Sequence, residues 1–335
     1  MSFKPHFTDV PLNKLSYYKT GGKTLGVLAP RSTQEVKESI SWIKSQKKPF
    51  YVLGGGTNSL ISDEPWDGYV ISFHLMNKIV VANEEIHVEA GVVNSDLVLK
   101  AYESGIGDLS WMYRLPGQIG GTVRMNARCY GGEISNVVSQ VTAISQQGEL
   151  RRYEDISGIF KGYKDTLFMD NGDIICEVTI SLQPLSEDDL IKVKAKMDFC
   201  ETDRESKGQF LYPTCGCVFK NSYDPRVSVS SGMLLEKSGA KHQTYGGAQV
   251  SDGHANFVYN KSASSSDILN LSFKMRDMVY ETFGVWLDYE MEILGELSEV
   301  QKRKLYLEKQ FSDDEGKSKY LMAVREEFQK KTLKR

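Results

Sequence analysis

The stretch that decides the fold runs from Leu115 to Ser135 and reads LPGQIGGTVRMNARCYGGEIS. Glycines crowd this stretch, at positions 117, 120, 121, 131 and 132, and charged residues are few. Such a sequence is poor material for a hydrophobic core, and its backbone N–H and C=O groups need hydrogen-bond partners. A pyrophosphate or the edge of a flavin ring would provide those partners, so the stretch predicts a ligand-binding segment.

A second glycine-rich segment, LGGGTNSL at 53–60, directly follows the apolar strand expected at 50–53. Glycines after a strand let the backbone approach a ligand and aim N–H groups at phosphate oxygens. A Rossmann fingerprint is disfavoured because LIS at 60–62 continues as strand or loop and opens no helix. A P-loop is excluded because no Gly-Lys-Ser/Thr follows. Alone, each segment could be a structural turn, but two in one domain favour ligand binding.

Composition limits the possible classes of protein. The chain has 335 residues, 40% hydrophobic and 25% charged, which suits a globular protein of two domains. Its net charge of −3 gives no general attraction to nucleic acid or anionic membranes. No apolar run approaches the ~18–20 residues that cross a bilayer, and the first ten residues lack a signal-peptide pattern. The five cysteines are odd in number and irregularly spaced, which predicts a reducing cytoplasm, no disulfide framework and no metal site.

Periodicity predicts a mixture of helices and strands, an α+β fold. Helices are expected at 31–47, capped by Ser32 or Thr33, and at 95–103, 186–207 and 265–283. Strands are expected at 50–53, 70–73, 79–81, 86–90, 138–144 and 174–182. Residues 16–30 are interpreted as a short strand entering a Gly-Gly turn. The tail carries 11 Lys or Arg and 6 Asp or Glu over 301–335, and it is expected to be a helix packed on the body or a binding arm for an acidic partner.

Two polar segments lie further along the chain. YPTCGCVFKN at 212–221 places Cys217, Lys220 and Asn221 near an expected strand end. GGAQVSDGHANF at 246–257 brings Gln249, His254 and Asn256 into one short polar run. A lone histidine is usually a satisfied structural residue, so a structural role for His254 is the alternative to ligand binding.

With these segments in this order, the chain resembles the UDP-N-acetylenolpyruvoylglucosamine reductases, the MurB family. The resemblance spans 12–296, and its motifs lie at 53–63, 115–135, 217–221, 247–257 and 287–295. It implies an FAD-binding domain of the PCMH type, built from two α+β subdomains, and a smaller C-terminal α/β substrate domain. The implied boundaries are 12–75, 76–187 and 200–296, followed by a charged helical tail at 297–335. The resemblance implies an FAD site formed by Gly54, Gly55, Gly56, Thr57, Asn58, Ser59, Pro116, Gly117, Gly120, Gly121, Asn126, Ala127, Gly132 and Ile134.

The resemblance also implies a reaction. NADPH would reduce FAD, and the reduced flavin would reduce the enolpyruvyl group of a UDP-sugar in peptidoglycan synthesis, in a cytoplasmic monomer. Cys217 occupies the place of the family's proton-donating serine, Lys164 the place of its arginine, and Glu290 that of its acidic residue. Residues expected to contact the substrate are Tyr163, Lys220, Asn221, Gln249 and His254.

Three positions depart from the family pattern. They are Lys164 in place of arginine, Thr166 in place of serine, and Glu292 in place of the usual arginine. Lysine keeps the charge but lacks the planar fork that grips a carboxylate. These departures leave two alternatives: another FAD-dependent sugar oxidoreductase of the same superfamily, or a catalytically impaired relative that binds nucleotide or protein.

Overall fold

The computed structural model describes residues 6–222, 224, 226–307, 312 and 314–332. The chain forms two compact units. Unit 1 contains 1–11, 23–56 and 66–204, and unit 2 contains 12–22, 57–65 and 205–335. The domain boundaries proposed from the sequence at 75, 187 and 200 stay predictions.

The strands, in chain order, are β1 (Phe7–Pro11), β2 (Lys23–Leu28), β3 (Phe50–Leu53), β4 (Ser59–Ile61), β5 (Trp66–Ser72), β6 (Ile79–Ala82), β7 (Glu85–Glu89), β8 (Arg128–Cys129), β9 (Gly132–Glu133), β10 (Val138–Ile144), β11 (Leu150–Tyr153), β12 (Phe160–Gly162), β13 (Asp165–Thr166), β14 (Ile174–Ser181), β15 (Thr244–Tyr245), β16 (Ala248–Val250), β17 (Val258–Asn260) and β18 (Glu292–Leu294). The α-helices are α1 (Thr33–Ser45), α2 (Asn94–Glu103), α3 (Ile119–Arg124), α4 (Leu167–Asn171), α5 (Glu187–Ser206), α6 (Ser231–Lys237), α7 (Ser265–Phe283), α8 (Glu299–Leu305) and α9 (Glu315–Thr332).

Unit 1 contains a four-stranded sheet of order β1-β2-β5-β3, in which β2 and β3 both run parallel to β5. Helix α1 buries Val36, Ile40 and Ile43, the residues that recur at helical spacing. The Ser32 hydroxyl accepts a hydrogen bond from the Glu35 N–H and caps the helix, as predicted. The glycine turn at 54–56 directly follows β3, and the chain returns to this sheet with β5.

A five-stranded antiparallel sheet of order β11-β10-β14-β7-β6 forms the rest of the unit 1 framework. Its apolar face contributes to one core with α1, α2 and α3, and this core includes the fully buried Phe168 and Trp111. Helix α3 contacts β7 and β14, so the segment at 115–135 rests on this sheet.

Unit 2 contains the small antiparallel sheet β15-β16-β17 and the helices α6 and α7. Helix α7 begins with a capping box, in which the Ser264 hydroxyl accepts from the Asp267 N–H and the Asp267 carboxylate accepts from the Ser264 N–H. It ends at Gly284, which is left-handed at φ 68°. Strand β18 pairs in parallel with β4, which brings residues 292–294 beside 59–61.

The tail forms α8 and α9, and the described part of α9 packs on the unit 2 core. Leu321 and Val324 are buried, and Phe328 lies against the same cluster. Lys237 of α6 forms a 2.8 Å ion pair with Glu327, and this contact lowers the pKa of Glu327 to about 2. Of the two expectations for the tail, the helix packed on the body is the one seen in α9 at residues 315–332. Residues 308–311, 313 and 333–335 lie outside the described part of the chain.

Most elements expected from the sequence are confirmed, and so is the α+β class. The interpretation of residues 16–30 is wrong in the order of its elements, because the strand β2 follows the Gly21-Gly22 turn and does not precede it. A 3-10 helix at residues 12–14 lies before that turn. The short helices α3, α4 and α6 are not anticipated by the sequence patterns. Among the residues that the structure describes, every helix is too short or too polar to span a bilayer.

Candidate active site

The glycine turn after β3 lies beside the segment at 117–121 in unit 1. Gly56 is left-handed at φ 62°, a conformation that favours glycine. A Cβ atom at Gly54 would lie 3.4 Å from the Gln118 Oε1 atom, which is tight but not prohibitive. The two glycine-rich segments predicted to bind one ligand therefore do come together at this point.

The glycines of the segment at 115–135 fall into two kinds. A Cβ atom at Gly120 would lie 2.9 Å from the Ala90 Cβ, and the Gly120 N–H already donates to the Ala90 carbonyl. A Cβ atom at Gly132 would lie 2.1 Å from the Trp111 ring. Internal packing thus explains Gly120 and Gly132. Gly121, by contrast, is exposed, and no neighbouring atom of the described residues lies within 4 Å of the position that its Cβ would take, so it leaves room for a ligand.

The loop that carries these glycines is held by Asn94 of α2. The Asn94 amide nitrogen donates to the Leu115 carbonyl at 3.2 Å, and its side-chain oxygen accepts from the Thr122 hydroxyl at 2.8 Å. Asn94 is fully buried, so both hydrogen bonds are shielded from water. This contact fixes 115–122 on the α2 helix.

Two buried acceptors in this region lack a hydrogen-bond partner among the described residues, Gln118 Oε1 and Asn126 Oδ1. Asn126 also adopts φ 40°, an uncommon conformation for a non-glycine residue. Its amide nitrogen donates to Glu133 Oε1 and to the Gly162 carbonyl. Buried polar atoms are normally paired. The N–H and O–H groups of an FAD molecule would satisfy these two acceptors, so the residues of unit 1 fit that cofactor.

The hairpin β12–β13 carries Tyr163 and Lys164 at its turn. Lys164 is left-handed at φ 55°, and its ammonium lies 5.9 Å from the centre of the Tyr163 ring. The hairpin is attached to the segment at 115–135 through Asn126 and through Thr166, whose hydroxyl donates to the Arg124 carbonyl at 2.7 Å. The threonine at 166 therefore has a structural partner in this chain.

In unit 2, the segment at 217–221 is clamped by Asn256. The Phe219 N–H donates to the Asn256 side-chain oxygen at 3.0 Å, and the Asn256 amide nitrogen donates to the Phe219 carbonyl at 2.8 Å. The Val218 N–H also donates to the Asn256 carbonyl. Asn256 is 1% exposed, so one buried amide fixes the backbone on which Cys217 lies.

Two of the predicted catalytic residues lie on adjoining backbone. The Glu290 N–H donates to the carbonyl of Val218, the residue after Cys217, at 2.8 Å. The Glu290 carbonyl accepts from the Asn58 amide nitrogen at 3.0 Å, and the Glu292 N–H donates to the Asn58 carbonyl. Unit 2 therefore brings Cys217, Glu290 and Asn58 together, and the unexpected Glu292 lies in the strand β18 beside β4.

The two cysteines of this segment have different surroundings. Cys215 is 4% exposed, and its Sγ lies 3.6 Å from the Met291 sulfur. Burial raises the pKa of the Cys215 thiol to about 12, so it stays protonated and unreactive. Cys217 is half-buried and lies on the backbone clamped by Asn256. Of these two thiols, Cys217 is the one with access to a ligand.

The residues predicted to contact the substrate are distributed over different parts of the two units. Asn221 accepts from the Ser231 N–H at 3.0 Å, and the Lys220 carbonyl accepts from the Ser231 hydroxyl, so both stabilise the start of α6. Gln249 lies on β16, where it accepts from the Lys261 ammonium. No described contact joins Gln249 to the segment at 217–221.

His254 has the surroundings of a structural histidine. Its ring packs on Phe257, and a Cβ atom at Gly232 of α6 would lie 3.2 Å from its Cε1. Its Nδ1 accepts from the Asn256 N–H, which places the proton of the neutral ring on Nε2. Burial, with a smaller effect of Lys207, lowers the pKa of His254 to about 4, so the ring is neutral at pH 7.

Sequence reasoning missed Gln118 as part of the site, and it placed Asn256 in a polar run without assigning it a role. Both lie inside the quoted motifs, but their roles depend on contacts with residues far away in sequence. Within the described residues, no three His, Cys, Asp or Glu side chains are grouped to hold a metal ion.

Comparison with known proteins agrees with this geometry. Residues 24–154 match the family model described as FAD binding domain, so the fold and this site define an FAD-binding protein. Residues 208–294 match the model described as UDP-N-acetylenolpyruvoylglucosamine reductase, C-terminal domain. The chain belongs to the UDP-N-acetylenolpyruvoylglucosamine reductase family.

The relatives that show the family cover most of the chain. The chain is 34% identical over 296 residues to the UDP-N-acetylenolpyruvoylglucosamine reductase of Listeria innocua, covering 87% of this chain and 97% of that protein. It is 32% identical over 288 residues to the enzyme of the same name from Lactobacillus helveticus, covering 86% and 94%. The crystal structure of UDP-N-acetylenolpyruvylglucosamine reductase (MurB) from Thermus caldophilus matches with a TM-score of 0.70 and 26% identity, over 85% of this chain and 98% of that one.

Proposed function

We propose that this chain catalyses the NADPH-dependent reduction of UDP-N-acetylenolpyruvoylglucosamine to UDP-N-acetylmuramate in peptidoglycan synthesis. The observation that carries the proposal is the hydrogen bond from the Glu290 N–H to the Val218 carbonyl, which places the backbone of Glu290 beside that of Cys217 in a chain of this family. A cytoplasmic monomer stays the prediction for its location and assembly.

The FAD site is proposed to use the residues of unit 1 that the fold leaves open to a ligand. Gly54 and Gly121 would give the backbone close access to the cofactor. Gln118 and Asn126 would accept hydrogen bonds from its N–H or O–H groups. When bound, FAD accepts a hydride from NADPH and supplies it to the enolpyruvyl double bond.

Cys217 is proposed as the proton donor. Addition of hydride to the methylene carbon moves the electron pair of the double bond onto the neighbouring carbon and its carboxylate. The Cys217 thiol then gives its proton to that carbon and becomes a thiolate, which solvent reprotonates. A thiol, with a reference pKa of about 8.5, is acidic enough for this role.

Lys164 and Glu290 are proposed to act on the charge that develops in this step. The Lys164 ammonium would stabilise the negative charge shared between the carbon and the carboxylate. Its left-handed backbone at φ 55° is a conformation that occurs at functional sites, where the surrounding structure maintains it. Glu290 would assist protonation from the backbone that adjoins Cys217.

Half-reaction kinetics under anaerobic conditions test the proposal. The purified protein should be yellow, its flavin should be bleached by NADPH, and the colour should return on addition of UDP-N-acetylenolpyruvoylglucosamine with formation of UDP-N-acetylmuramate. A reduced flavin that this substrate never reoxidises would contradict the function.

A Cys217 series tests the proton donor separately. Cys217→Ala should keep the rate of flavin reduction by NADPH but slow reoxidation by the substrate by about 100-fold or more, the usual contribution of a general acid. Cys217→Ser should retain part of the rate. Cys200→Ala, at a buried thiol of unit 1, is the control and should leave both half-reactions unchanged. If Cys217→Ala reoxidises like the parent protein, Cys217 is not the acid.

A further inference from the structure

A second cation lies beside Lys164 in unit 1. The Arg128 guanidinium lies 4.9 Å from the centre of the Tyr163 ring, and the Lys164 ammonium lies 5.9 Å from the same centre. The two positive groups therefore share one aromatic side chain, although the residues are far apart in the sequence. Cation–π contact of this kind positions a guanidinium while leaving its N–H edge able to bind an anion.

The backbone around Arg128 is held in place. Arg128 lies on β8, which pairs with β9, and Asn126 ties the same segment to the carbonyl of Gly162, the residue before the turn of the hairpin. Thr166 adds a second tie to Arg124. The hairpin that carries Tyr163 and the segment that carries Arg128 thus form one locally fixed structure.

Glu133 forms a long ion pair with Arg128. The Arg128 Nη1 lies 3.8 Å from Glu133 Oε2, a distance too long for a hydrogen bond. Glu133 Oε1 accepts from the Asn126 amide and from the Ser135 hydroxyl. The Arg128 side chain is 39% exposed, so solvent screens this pair further and an incoming anion can reach the guanidinium.

We propose that Arg128 is a substrate-binding residue that grips the carboxylate of the enolpyruvyl group next to Lys164. An arginine supplies the planar, bidentate fork that a lysine lacks. Arg128 thus provides from β8 the geometry that Lys164 cannot provide from the hairpin. This assignment rests on the proposed function, and it concerns carboxylate recognition, not the diphosphate or the sugar.

Ligand binding to the FAD-loaded protein shows whether Arg128 recognises the carboxylate or the rest of the UDP-sugar. Isothermal titration calorimetry of the oxidised protein compares UDP-N-acetylmuramate, which carries a carboxylate, with UDP-N-acetylglucosamine, which has none. Arg128→Ala should weaken binding of the first ligand about tenfold or more and leave binding of the second unchanged. Arg128→Lys should restore part of the affinity, because it keeps the charge without the fork.

Kinetics and a matched control complete the test. Arg128→Ala should raise the KM for the enolpyruvyl substrate while the FAD content and the rate of flavin reduction by NADPH stay at parent values. Arg152→Ala, at an exposed arginine on β11 of the same unit, should change neither binding nor KM. Equal weakening of both ligands in Arg128→Ala, or weakening of neither, would overturn the assignment. If the parent protein does not reduce the enolpyruvyl substrate, the proposed function is wrong. That result is distinguishable from a failure of the Arg128 assignment, which appears only in the comparison of the two ligands.

Discussion

Cys215 and Cys217 are separated by a single glycine, yet burial gives their thiols different chemistry. Cys215 is enclosed against Met291, and burial raises its pKa to about 12. We expect iodoacetamide at about pH 8 to modify Cys217 and to leave Cys215 unmodified in the folded protein, because the thiolate is the reactive form. Peptide mass mapping after brief labelling measures this. Both thiols should react after unfolding in urea, and equal labelling of Cys215 in the native protein would contradict the description of its environment.

His254 predicts a pH dependence of stability. Its pKa is about 4 in the folded protein and 6.5 in the reference state, so the unfolded chain binds more protons between these values. The free energy of unfolding should therefore fall as the pH drops through this window, by about 2 kcal/mol between pH 7 and pH 5 from this residue.

Urea unfolding at pH 7 and pH 5 measures the effect. The variant His254→Gln cannot titrate and should show a shallower change between the two pH values. An unchanged pH dependence in that variant would mean that His254 is not buried in its neutral form.

The glycines of 115–135 give a prediction at the scale of elements. Gly120 and Gly121 are neighbours in α3, but a Cβ atom at the first would contact Ala90 at 2.9 Å, whereas the second faces open space. Gly120→Ala should therefore destabilise the protein without ligand. Gly121→Ala should leave its stability unchanged or raise it by up to about 1 kcal/mol, since alanine favours helix.

The same pair distinguishes packing from cofactor contact. Thermal unfolding of the FAD-free protein gives the stability, and the ratio of flavin to protein absorbance gives the retained FAD. Gly121→Val should lose FAD while the FAD-free protein stays folded, because the added side chain fills the space left for the cofactor. Full FAD retention in Gly121→Val would remove Gly121 from the proposed site.

Elements with clear periodicity and end signals in their own sequence can be predicted from the sequence alone. Helix α7 has helical periodicity, a capping serine and a terminal glycine, and its predicted bounds match the observed ones. Helix α3 contains two adjacent glycines, which are poor helix formers, and it forms because it packs on β7 and β14. Such tertiary contacts are not visible in a window of sequence.

The site shows the same division between local and distant information. The motifs locate Cys217 and Glu290, and unit 2 joins their backbones. The motifs could not show that the Trp111 ring leaves no room for a side chain at Gly132. They also could not show that Asn256 hydrogen-bonds to Phe219, or that Arg128 contacts the Tyr163 ring. Each of these facts depends on side chains that meet only in the folded chain.

At the scale of the whole molecule, the tail is expected to contribute to stability. Leu321 and Val324 of α9 are 8% and 2% exposed against the unit 2 core. Leu321→Ala should lower the free energy of unfolding by about 2–3 kcal/mol, because it removes buried apolar contacts. Met322→Ala is the matched control: Met322 is 63% exposed, and its loss should cost less than about 0.5 kcal/mol. Chemical unfolding of both variants measures the difference, and equal stability would mean that α9 is not docked in solution.

The parallel pairing of β4 with β18 has a consequence for synthesis of the protein on the ribosome. Asn58 bonds to Glu290, a partner 232 residues later, so the segment at 57–65 leaves the exit tunnel long before its neighbours in unit 2 exist. At ordinary elongation rates this wait lasts about 10–50 seconds. The nascent chain therefore carries an unpaired strand for most of its translation, and unit 2 is completed only near the end of synthesis.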